Sequence, residues 1–453
     1  MKKFLPFILV IILSVLLLAS CDGAINDTSE TTAADAETTA QESQSSTEST
    51  ETSVQTETSA ITETTAEDDQ LECTEGLVFT LINDGTAYSV SGYTGDESNV
   101  VIPAIYKGLP VTEIGENAFY YQRDTLVSVL ISDNVECIGP NAFEGCDSLT
   151  SVMFGEGSKL KTIKQAAFYS CDALVDFEFP KGVEHIEKKA FSYCYDLVDI
   201  VLPDSVKCIE AEAFYGSGYY NNKDNWESRG KVLYIGKYLI AGKTPCGEVE
   251  VKEGTEYIAQ EAFNGCEIGR LTFPESLKVI DMGAFANCTY YLRSVELPDG
   301  LTTLGDFAFA YCTWIETVKL PQNITHIGSF AFAGCFELKS IDIPDSVKTI
   351  GERAFVACSR LSTVTIGAES QLESIGAYAF SECKMTSIFL PSEVVTISEN
   401  AFKACRDLEV INYEGSEAQW NDISKGTDWD SFAGERTETG TYTIIYNYEF
   451  PAE

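Results

Sequence analysis

The apolar positions of this sequence recur with a fixed period over most of its length. The dipeptide Ala-Phe occurs twelve times between residues 118 and 402, and consecutive copies are usually 22 to 25 residues apart. One gap of 49 residues, between Ala213 and Ala262, equals about two periods and therefore hides one degenerate copy. Such a period is typical of solenoid proteins, in which each unit buries its apolar face only against its neighbours.

A well-formed unit covers residues 331–351 and contains two extended pieces. Apolar residues alternate with polar ones up to Ile343, and the Pro-Asp-Ser sequence that follows predicts a strand that ends in a turn. A second short extended piece ends at Ile350, and the next Ala354-Phe355 pair is compatible with a single turn of α-helix or 3₁₀-helix. We therefore predict one β-rich solenoid of about 13 coils of about 23 residues each, and not three globular domains.

The order of Cys-x-x-Leu, Ile-Pro, Ile-Gly and Ala-Phe in each unit resembles the BspA-type leucine-rich repeat proteins of bacterial cell surfaces. The resemblance covers about residues 76–425 and implies a leucine-rich repeat solenoid wound as a right-handed α/β superhelix. Residues 77–81 and 87–90 flank an Asp-Gly turn, so they predict a β-hairpin that caps the first coil. Residues 441–448 predict a strand that caps the last coil.

The first 70 residues differ sharply in composition from the repeats. Two lysines precede an apolar stretch that ends at Leu18, so residues 1–20 predict a secretory signal peptide. The following Leu-Ala-Ser-Cys resembles the lipobox of bacterial lipoproteins, which implies that Cys21 becomes a lipidated N-terminus. Residues 22–70 hold 20 Ser or Thr and 13 Asp or Glu but no Lys, Arg or aromatic residue, which predicts a disordered stalk.

The predicted organisation has five parts. These are a signal peptide (1–20), a stalk that begins at Cys21 (21–70), an N-terminal β cap (71–110), the solenoid (111–425) and a C-terminal cap (426–453). The degenerate unit lies in an irregular insert at about residues 217–250, which lacks Ala-Phe and in which residues 232–240 predict a hairpin. Insertions in solenoids often bind ligands, although a neutral excursion is the alternative interpretation.

The composition argues against several classes of function. With 70 acidic and 30 basic residues the formal net charge is -40, which disfavours nucleic acids and anionic membrane surfaces as partners. The two histidines, His185 and His326, each precede a core isoleucine in a surface slot, so we expect no imidazole-based catalysis. Neither a Cys-x-x-Cys nor an Asp-x-Asp-x-Asp-Gly motif occurs, so we expect no metal or other cofactor. We predict a non-enzymatic protein, although the many carboxylates leave a glycosidase-like pair possible.

Cysteine recurs in step with the repeat. Ten of the 15 cysteines lie three residues after the repeat phenylalanine, which predicts a ladder of buried, unpaired thiols. Adjacent coils bring their Cα atoms within disulfide distance, but their Cβ vectors run parallel and do not face each other. The ladder consists of Cys146, Cys171, Cys194, Cys266, Cys288, Cys312, Cys335, Cys358, Cys383 and Cys405, and it leaves out Cys73, Cys137, Cys208 and Cys246.

Aromatic residues cluster just after Ala-Phe and around the repeat cysteine. On stacked coils they would follow one edge, where they could contact a glycan or anchor a protein. The alternative is that these rings simply half-cover the edge of the coils. The candidate ligand-binding residues are Tyr120, Tyr121, Tyr169, Tyr193, Tyr195, Tyr215, Tyr311 and Trp314.

Together these features predict a lipid-anchored protein on the extracellular face of a bacterial membrane. The family resemblance implies adhesion, so we expect a monomer whose solenoid binds a protein or other macromolecule and which contacts the membrane only through the lipid on Cys21. A glycan-binding module that uses the tyrosine-rich edge is the alternative, and no nucleic-acid partner is expected.

Overall fold

The computed structural model describes residues 73–120, 122–437 and 440–450. These residues form a β-solenoid of about 14 turns with little helix, so the predicted solenoid is confirmed. The predicted signal peptide, the stalk with Cys21, and Tyr121 lie outside the described residues. Within the described ranges, no helix has the length and the apolar character that a membrane span requires.

Strands from successive coils pair in parallel and form two columns, interrupted in places. The long-strand column contains Asn99–Ile102, Ser128–Ile131, Ser151–Phe154, Asp176–Phe177, Gly247–Glu250, Ile268–Thr272, Ser294–Glu296, Thr317–Lys319, Ser340–Ile343, Thr363–Ile366, Ser387–Leu390, Val410–Tyr413 and Thr443–Ile445. The short-strand column contains Leu109–Ile114, Cys137–Ile138, Thr162–Ile163, His185–Ile186, Cys208–Ile209, Tyr238–Gly242, Tyr257–Ile258, Val279–Ile280, Thr303–Leu304, His326–Ile327, Thr349–Ile350, Ser374–Ile375, Thr396–Ile397 and Ser424–Lys425.

Both ends of the solenoid are capped. Leu77–Ile82 and Ala87–Tyr93 form an antiparallel hairpin around a 3₁₀ turn at Asn83–Gly85, and this hairpin pairs with the first short strand. A two-residue strand, Ile105–Tyr106, also pairs antiparallel with Leu109–Ile114. The last long strand, Thr443–Ile445, extends the long-strand column at the other end. The predicted hairpin and strand caps are therefore confirmed.

In the part of the chain that the structure describes, regular helix is confined to short segments outside the repeat. The α-helix Glu417–Asp422 begins with a capping box formed by Ser416 and Gln419. Apart from the 3₁₀ turn of the N-terminal hairpin, the other helical pieces of the described residues lie in the insert: an α-turn at Gly218–Asn221, a 3₁₀ turn at Lys223–Asn225, and Glu227–Gly230, which contains two residues with positive φ.

The Ala-Phe dipeptides lie in hydrogen-bonded turns and not in the helical turn that the sequence allowed. The residue before Ala has a φ between 52° and 60° in eleven coils, and Gly283, at 62°, takes the same place in the twelfth. An α-helix requires negative φ at consecutive residues, so this residue prevents helix formation. It also directs its N–H towards the next coil, as Lys189 does to the carbonyl of Ala211.

The phenylalanine of each Ala-Phe pair is buried and stacks on its equivalents in adjacent coils. The ring centroids are 4.8 to 5.8 Å apart and the rings are within 3° to 13° of parallel. This stack runs down the centre of the solenoid and is interrupted only between Phe214 and Phe263. The buried apolar residues accordingly form two core clusters, which meet at the insert.

Candidate functional site

The insert replaces one coil of the solenoid by a hairpin. Strands Val232–Ile235 and Tyr238–Gly242 pair antiparallel, and Tyr238–Gly242 then pairs in parallel with Tyr257–Ile258 of the next coil. Gly242 takes the position of the repeat phenylalanine, because its N–H donates to the carbonyl of Ala262 at 2.7 Å in the way that the phenylalanines do. A side chain at Gly242 would collide with the ring of Phe263, so the aromatic stack cannot continue here.

A cleft of about 290 Å³ opens where the stack is interrupted. Its walls are the last regular coil before the insert, the hairpin, and the first coil after it. The lining residues are Ile209, Glu210, Ala211, Glu212, Ala213, Phe214, Tyr215, Tyr220, Ile240, Ala241, Gly242, Gln260, Glu261, Ala262 and Asn264. The lining therefore combines small apolar residues with tyrosines and amides, and its charged members are all glutamates.

Burial raises the pKa of two groups in the cleft. Burial raises the pKa of Glu210, although its carboxylate accepts a hydrogen bond from the N–H of Lys188 at 3.0 Å. Burial also raises the pKa of Tyr220 to about 12, so this phenol stays neutral at physiological pH. Glu212 lies 3.7 Å from Lys189 on the outer rim. The cleft thus presents carboxylates, a neutral phenol and apolar surface to whatever enters it.

Two tyrosines hold the coils together across the interruption. The hydroxyl of Tyr238 donates to the carbonyls of Pro203 and Val206, at 3.0 and 3.3 Å. The hydroxyl of Tyr257 accepts from the N–H of Ile209 at 3.1 Å and donates to the carboxylate of Asp281. These bonds replace part of the backbone pairing that the insert removes.

Cys208 lies beside the hydrogen bond between Tyr257 and Asp281. The thiol of Cys208 lies 3.8 Å from the carboxylate of Asp281 and accepts from the amide of Gln260 at 3.4 Å. Burial raises the pKa of Cys208 to about 12, so the thiol is protonated and not a nucleophile at neutral pH.

Four of the candidate tyrosines lie together and lead to the cleft. The rings of Tyr169 and Tyr193 are 5.4 Å apart, and those of Tyr193 and Tyr215 are 5.6 Å apart, in both cases edge to face. Tyr195, which is 51% exposed, tilts against Tyr193 at 6.2 Å. From Tyr215 the contacts continue to Tyr220 and then to Trp226, with 5.0 Å between centroids at each step. We call the series Tyr169, Tyr193, Tyr215, Tyr220 and Trp226 the aromatic path.

The remaining candidates lie elsewhere. Tyr120 is beside Arg123, and Trp314 is beside Arg293, with 5.9 and 5.5 Å between the guanidinium carbon and the ring centroid. The ring of Tyr311 covers Gly334 of the next coil, as that of Tyr193 covers Gly216. Tyr220, Trp226 and the cation Lys243, which lies 3.5 Å from the Trp226 ring centroid, are not among the candidates predicted from the sequence. The aromatic residues of the insert were the sequence signal that could have identified Tyr220 and Trp226.

Exposed aromatic residues also occur at a place that the sequence analysis did not consider. Tyr290 and Tyr291 are 51% and 73% exposed and their rings are 6.3 Å apart. They follow Cys288, where this coil is locally irregular, and they are separate from the aromatic path.

The ladder cysteines are buried, and nine of them make the same hydrogen bond. Each of these thiols donates to the carbonyl of the repeat phenylalanine one coil earlier, at 3.0 to 3.4 Å. The exception is Cys266, whose preceding coil is the hairpin, and which interacts with Cys246 instead. All 14 cysteines in the described residues are free thiols. Burial raises the pKa of most ladder thiols, to about 12 at Cys358 and Cys405.

Nothing in this geometry forms a metal centre. Among the residues that the structure describes, no group of three or more His, Cys, Asp or Glu side chains could hold a metal ion. Both histidines are exposed first residues of short strands, and the Nε2 atom of His185 lies 4.0 Å from the carboxylate of Glu184. The arrangement can bind a molecule by contact and hydrogen bonding, and the roles of the individual candidate residues stay predictions.

The comparison with protein families matches the repeats directly. The model of the BspA type leucine rich repeat region matches at six copies, over residues 112–223, 219–292 and 289–409, which together cover about two thirds of the chain. None of the curated proteins matches this sequence.

Several solved structures are similar to the chain. A leucine rich cell surface protein from Faecalibacterium prausnitzii is 27% identical, and the match covers 79% of this chain and 98% of that protein, with a TM-score of 0.30. A leucine-rich repeat protein from Bacteroides ovatus is 22% identical over 83% of this chain and 100% of its own, with a TM-score of 0.28. The pneumococcal vaccine antigen PcpA is 20% identical over 83% and 98%, with a TM-score of 0.33.

Proposed function

Because the chain belongs to the BspA-type leucine-rich repeat proteins, we propose that it is a non-enzymatic binding protein displayed on a bacterial cell surface. Its solenoid would bind a protein or other macromolecule, with the lipid on Cys21 as the only membrane contact. The observation that supports this proposal best is the aromatic path, a continuous series of contacting rings that ends at the largest irregularity of the solenoid. Tyrosine and tryptophan are the residues that most often carry binding energy at protein interfaces.

The attachment is tested by fractionation. The Cys21→Ala variant should leave the membrane fraction and appear in the medium, because it can no longer receive a lipid. Cys73→Ala is the matched control, since Cys73 is exposed and lies outside the lipobox, and it should stay attached. Retention of the Cys21→Ala protein would contradict the lipid anchor.

The binding role is tested on the surface of intact cells. Cross-linking should capture a partner with the wild-type chain and with Tyr311→Ala, and much less of it with Tyr193→Ala. Both tyrosine rings cover a glycine of the next coil, so Tyr311→Ala controls for the loss of that contact, whereas only Tyr193 lies on the aromatic path. Equal capture by both variants would contradict a role of the path.

The second candidate function is glycan binding, which the cleft chemistry favours. Aromatic rings and carboxylates in one cleft are suited to sugar rings and their hydroxyl groups. A glycan array on which the wild-type chain binds a sugar and Tyr215→Ala does not would favour this candidate over a protein partner. An array without signal would exclude it.

A further inference from the structure

Adjacent coils of the solenoid are joined by a repeating set of three backbone hydrogen bonds. The donors are the N–H groups of the repeat phenylalanine and of the residues two before and two after it. In one regular coil these are Lys189, Phe191 and Tyr193, which donate at 3.2, 2.7 and 2.8 Å. The acceptors are alternate carbonyls of the next coil, those of Ala211, Ala213 and Tyr215.

This set of three hydrogen bonds is missing at the junction between the coil of Phe214 and the hairpin. The equivalent donors of the next coil are the N–H groups of Glu212, Phe214 and Gly216, and they have no hydrogen-bond acceptor among the described residues. The reason is the hairpin, because Gly242 bonds onward to Ala262 but the hairpin offers no carbonyl to the coil behind it. We call these three N–H groups the open edge.

Two of the three residues of the open edge line the cleft, and Gly216 lies just beyond its lining, so a ligand has room to reach the edge from the cleft. Glu212 and Phe214 line the cleft, together with the small residues Ala213, Ala241 and Ala262. A segment that offers three alternate carbonyls spans five residues, so the cleft of about 290 Å³ holds only its central small residues and the ends of the segment extend beyond it. Unpaired backbone donors beside water-accessible space are a template for pairing with another chain.

The charge of the cleft selects among partners. Its carboxylates are Glu210, Glu212 and Glu261, and the cations Lys189, 3.7 Å from Glu212, and Lys243, beside the Tyr220 ring, lie outside its lining. A second copy of this chain, whose formal net charge is -40, is therefore a poor occupant. A segment with lysine or arginine beside small apolar residues complements both the charge and the space.

We propose that the open edge binds a basic peptide segment of a partner protein, which supplies the missing coil. Alternate carbonyls of that segment accept from Glu212, Phe214 and Gly216, small residues pack against Ala213 and Ala241, and flanking cations face the glutamates. This inference rests on the proposed binding function and names the chemistry of its partner.

The first test measures the donors directly by residue-resolved amide hydrogen exchange on the full chain. Without ligand, the amides of Glu212, Phe214 and Gly216 should exchange at least tenfold faster than those of Lys189, Phe191 and Tyr193, because unpaired amides are not protected. Equal protection of both sets would overturn the proposal. So would protection that rises with protein concentration, which would indicate a second copy at the edge.

The second test adds a probe, the peptide acetyl-Lys-Ser-Asn-Ala-Ala-Lys-Gly-Lys-amide. It follows residues 399–404 in outline, whose carbonyls at Glu399, Ala401 and Lys403 accept the same three bonds from the coil before. The peptide should slow exchange at the open edge at least tenfold, while the version with every lysine replaced by glutamate should not. Slowing by both versions, or by neither, would overturn the proposal.

Variants complete the test. Combining Glu210→Gln, Glu212→Gln and Glu261→Gln should weaken peptide binding at least tenfold, whereas Glu352→Gln with Glu399→Gln, on closed coils, should change it less than twofold. Ala241→Trp should abolish binding by filling the cleft, with circular dichroism as the check that the variant is folded. If the peptide fails in all of these tests but Tyr193→Ala still abolishes partner capture, the open-edge inference is wrong and the proposed function stands.

Discussion

The interruption of the phenylalanine stack predicts that identical substitutions have different costs along the solenoid. Phe143 and Phe214 belong to the same core cluster and are both buried, at 0% and 2% exposure. Phe143 stacks between two rings, at 4.8 Å from Phe119 and 5.0 Å from Phe168. Phe214 stacks in parallel on Phe191 only, at 5.6 Å, contacts Phe179 edge to face at 6.3 Å, and itself lines the cleft on its other side.

The expected magnitudes follow from this difference. Phe143→Ala loses the transfer free energy of the ring and leaves a closed cavity, so we expect a loss of about 4 kcal/mol in the free energy of unfolding. Phe214→Ala leaves a cavity that adjoins the cleft and can fill with water, so mainly the transfer contribution is lost, about 2 to 3 kcal/mol. The predicted difference is therefore about 1 to 2 kcal/mol.

Urea denaturation measures this difference. Unfolding of the wild type and of both variants is followed by far-ultraviolet circular dichroism and by tryptophan fluorescence, and the free energies are compared where the dependence on urea is unchanged. Phe143→Leu serves as the control and should cost less than about 1.5 kcal/mol, because it keeps the site filled. Losses that agree within about 0.5 kcal/mol, or a larger loss for Phe214→Ala, would refute the reasoning.

Three further predictions concern ionisable groups. In the folded protein Cys358 and Cys405 should resist alkylation at pH 8, because their raised pKa keeps the thiols protonated. Mass spectrometry should detect their modification only after unfolding. Rapid modification in the folded state would contradict their burial. Hydrogen bonds from Lys278 and Lys237 lower the pKa of Glu256, so its contribution is present above the unfolded-state pKa and is lost as the pH falls through the folded-state pKa. Glu256→Gln should therefore cost less than about 1 kcal/mol at pH 7 and less again at pH 3, as urea midpoints at the two pH values would show. Tyr257→Phe should cost about 1 to 3 kcal/mol in a thermal or urea titration, because it leaves the buried N–H of Ile209 unpaired, and an unchanged midpoint would contradict that role.

The fold could be predicted because the same pattern of buried and exposed positions recurs in twelve copies. Each copy fixes its buried residues by spacing alone, and the strands that end at Ile343 and Ile350 lie where the alternation placed them. The conformation at Ala354-Phe355 could not be predicted, because a helix and a left-handed turn suit the same residue types. The φ of 54° at Arg353 shows that the turn is left-handed, and an arginine in the sequence does not predict a positive φ.

The candidate site was less predictable because it depends on pairing between distant segments. The tyrosines at 169, 193, 195 and 215 could be placed on one edge from their position after Phe, but their connection to Trp226 requires the path of the insert. The open edge follows from the hairpin, because none of its carbonyls accepts a hydrogen bond from Glu212, Phe214 or Gly216. The 49-residue gap indicated where the repeat fails, and only the structure specifies which hydrogen bonds are lost.

The three-bond junction between coils also determines how the protein responds to mechanical load. In a linear array each coil contacts only its neighbours, so tension applied along the stack passes through every junction in series. The junction after Phe214 lacks its three backbone bonds and its ring stack, and is held instead by side-chain bonds such as those of Tyr238 and Tyr257. We therefore expect tension along the stack to open this junction first, before either flanking block loses its shape.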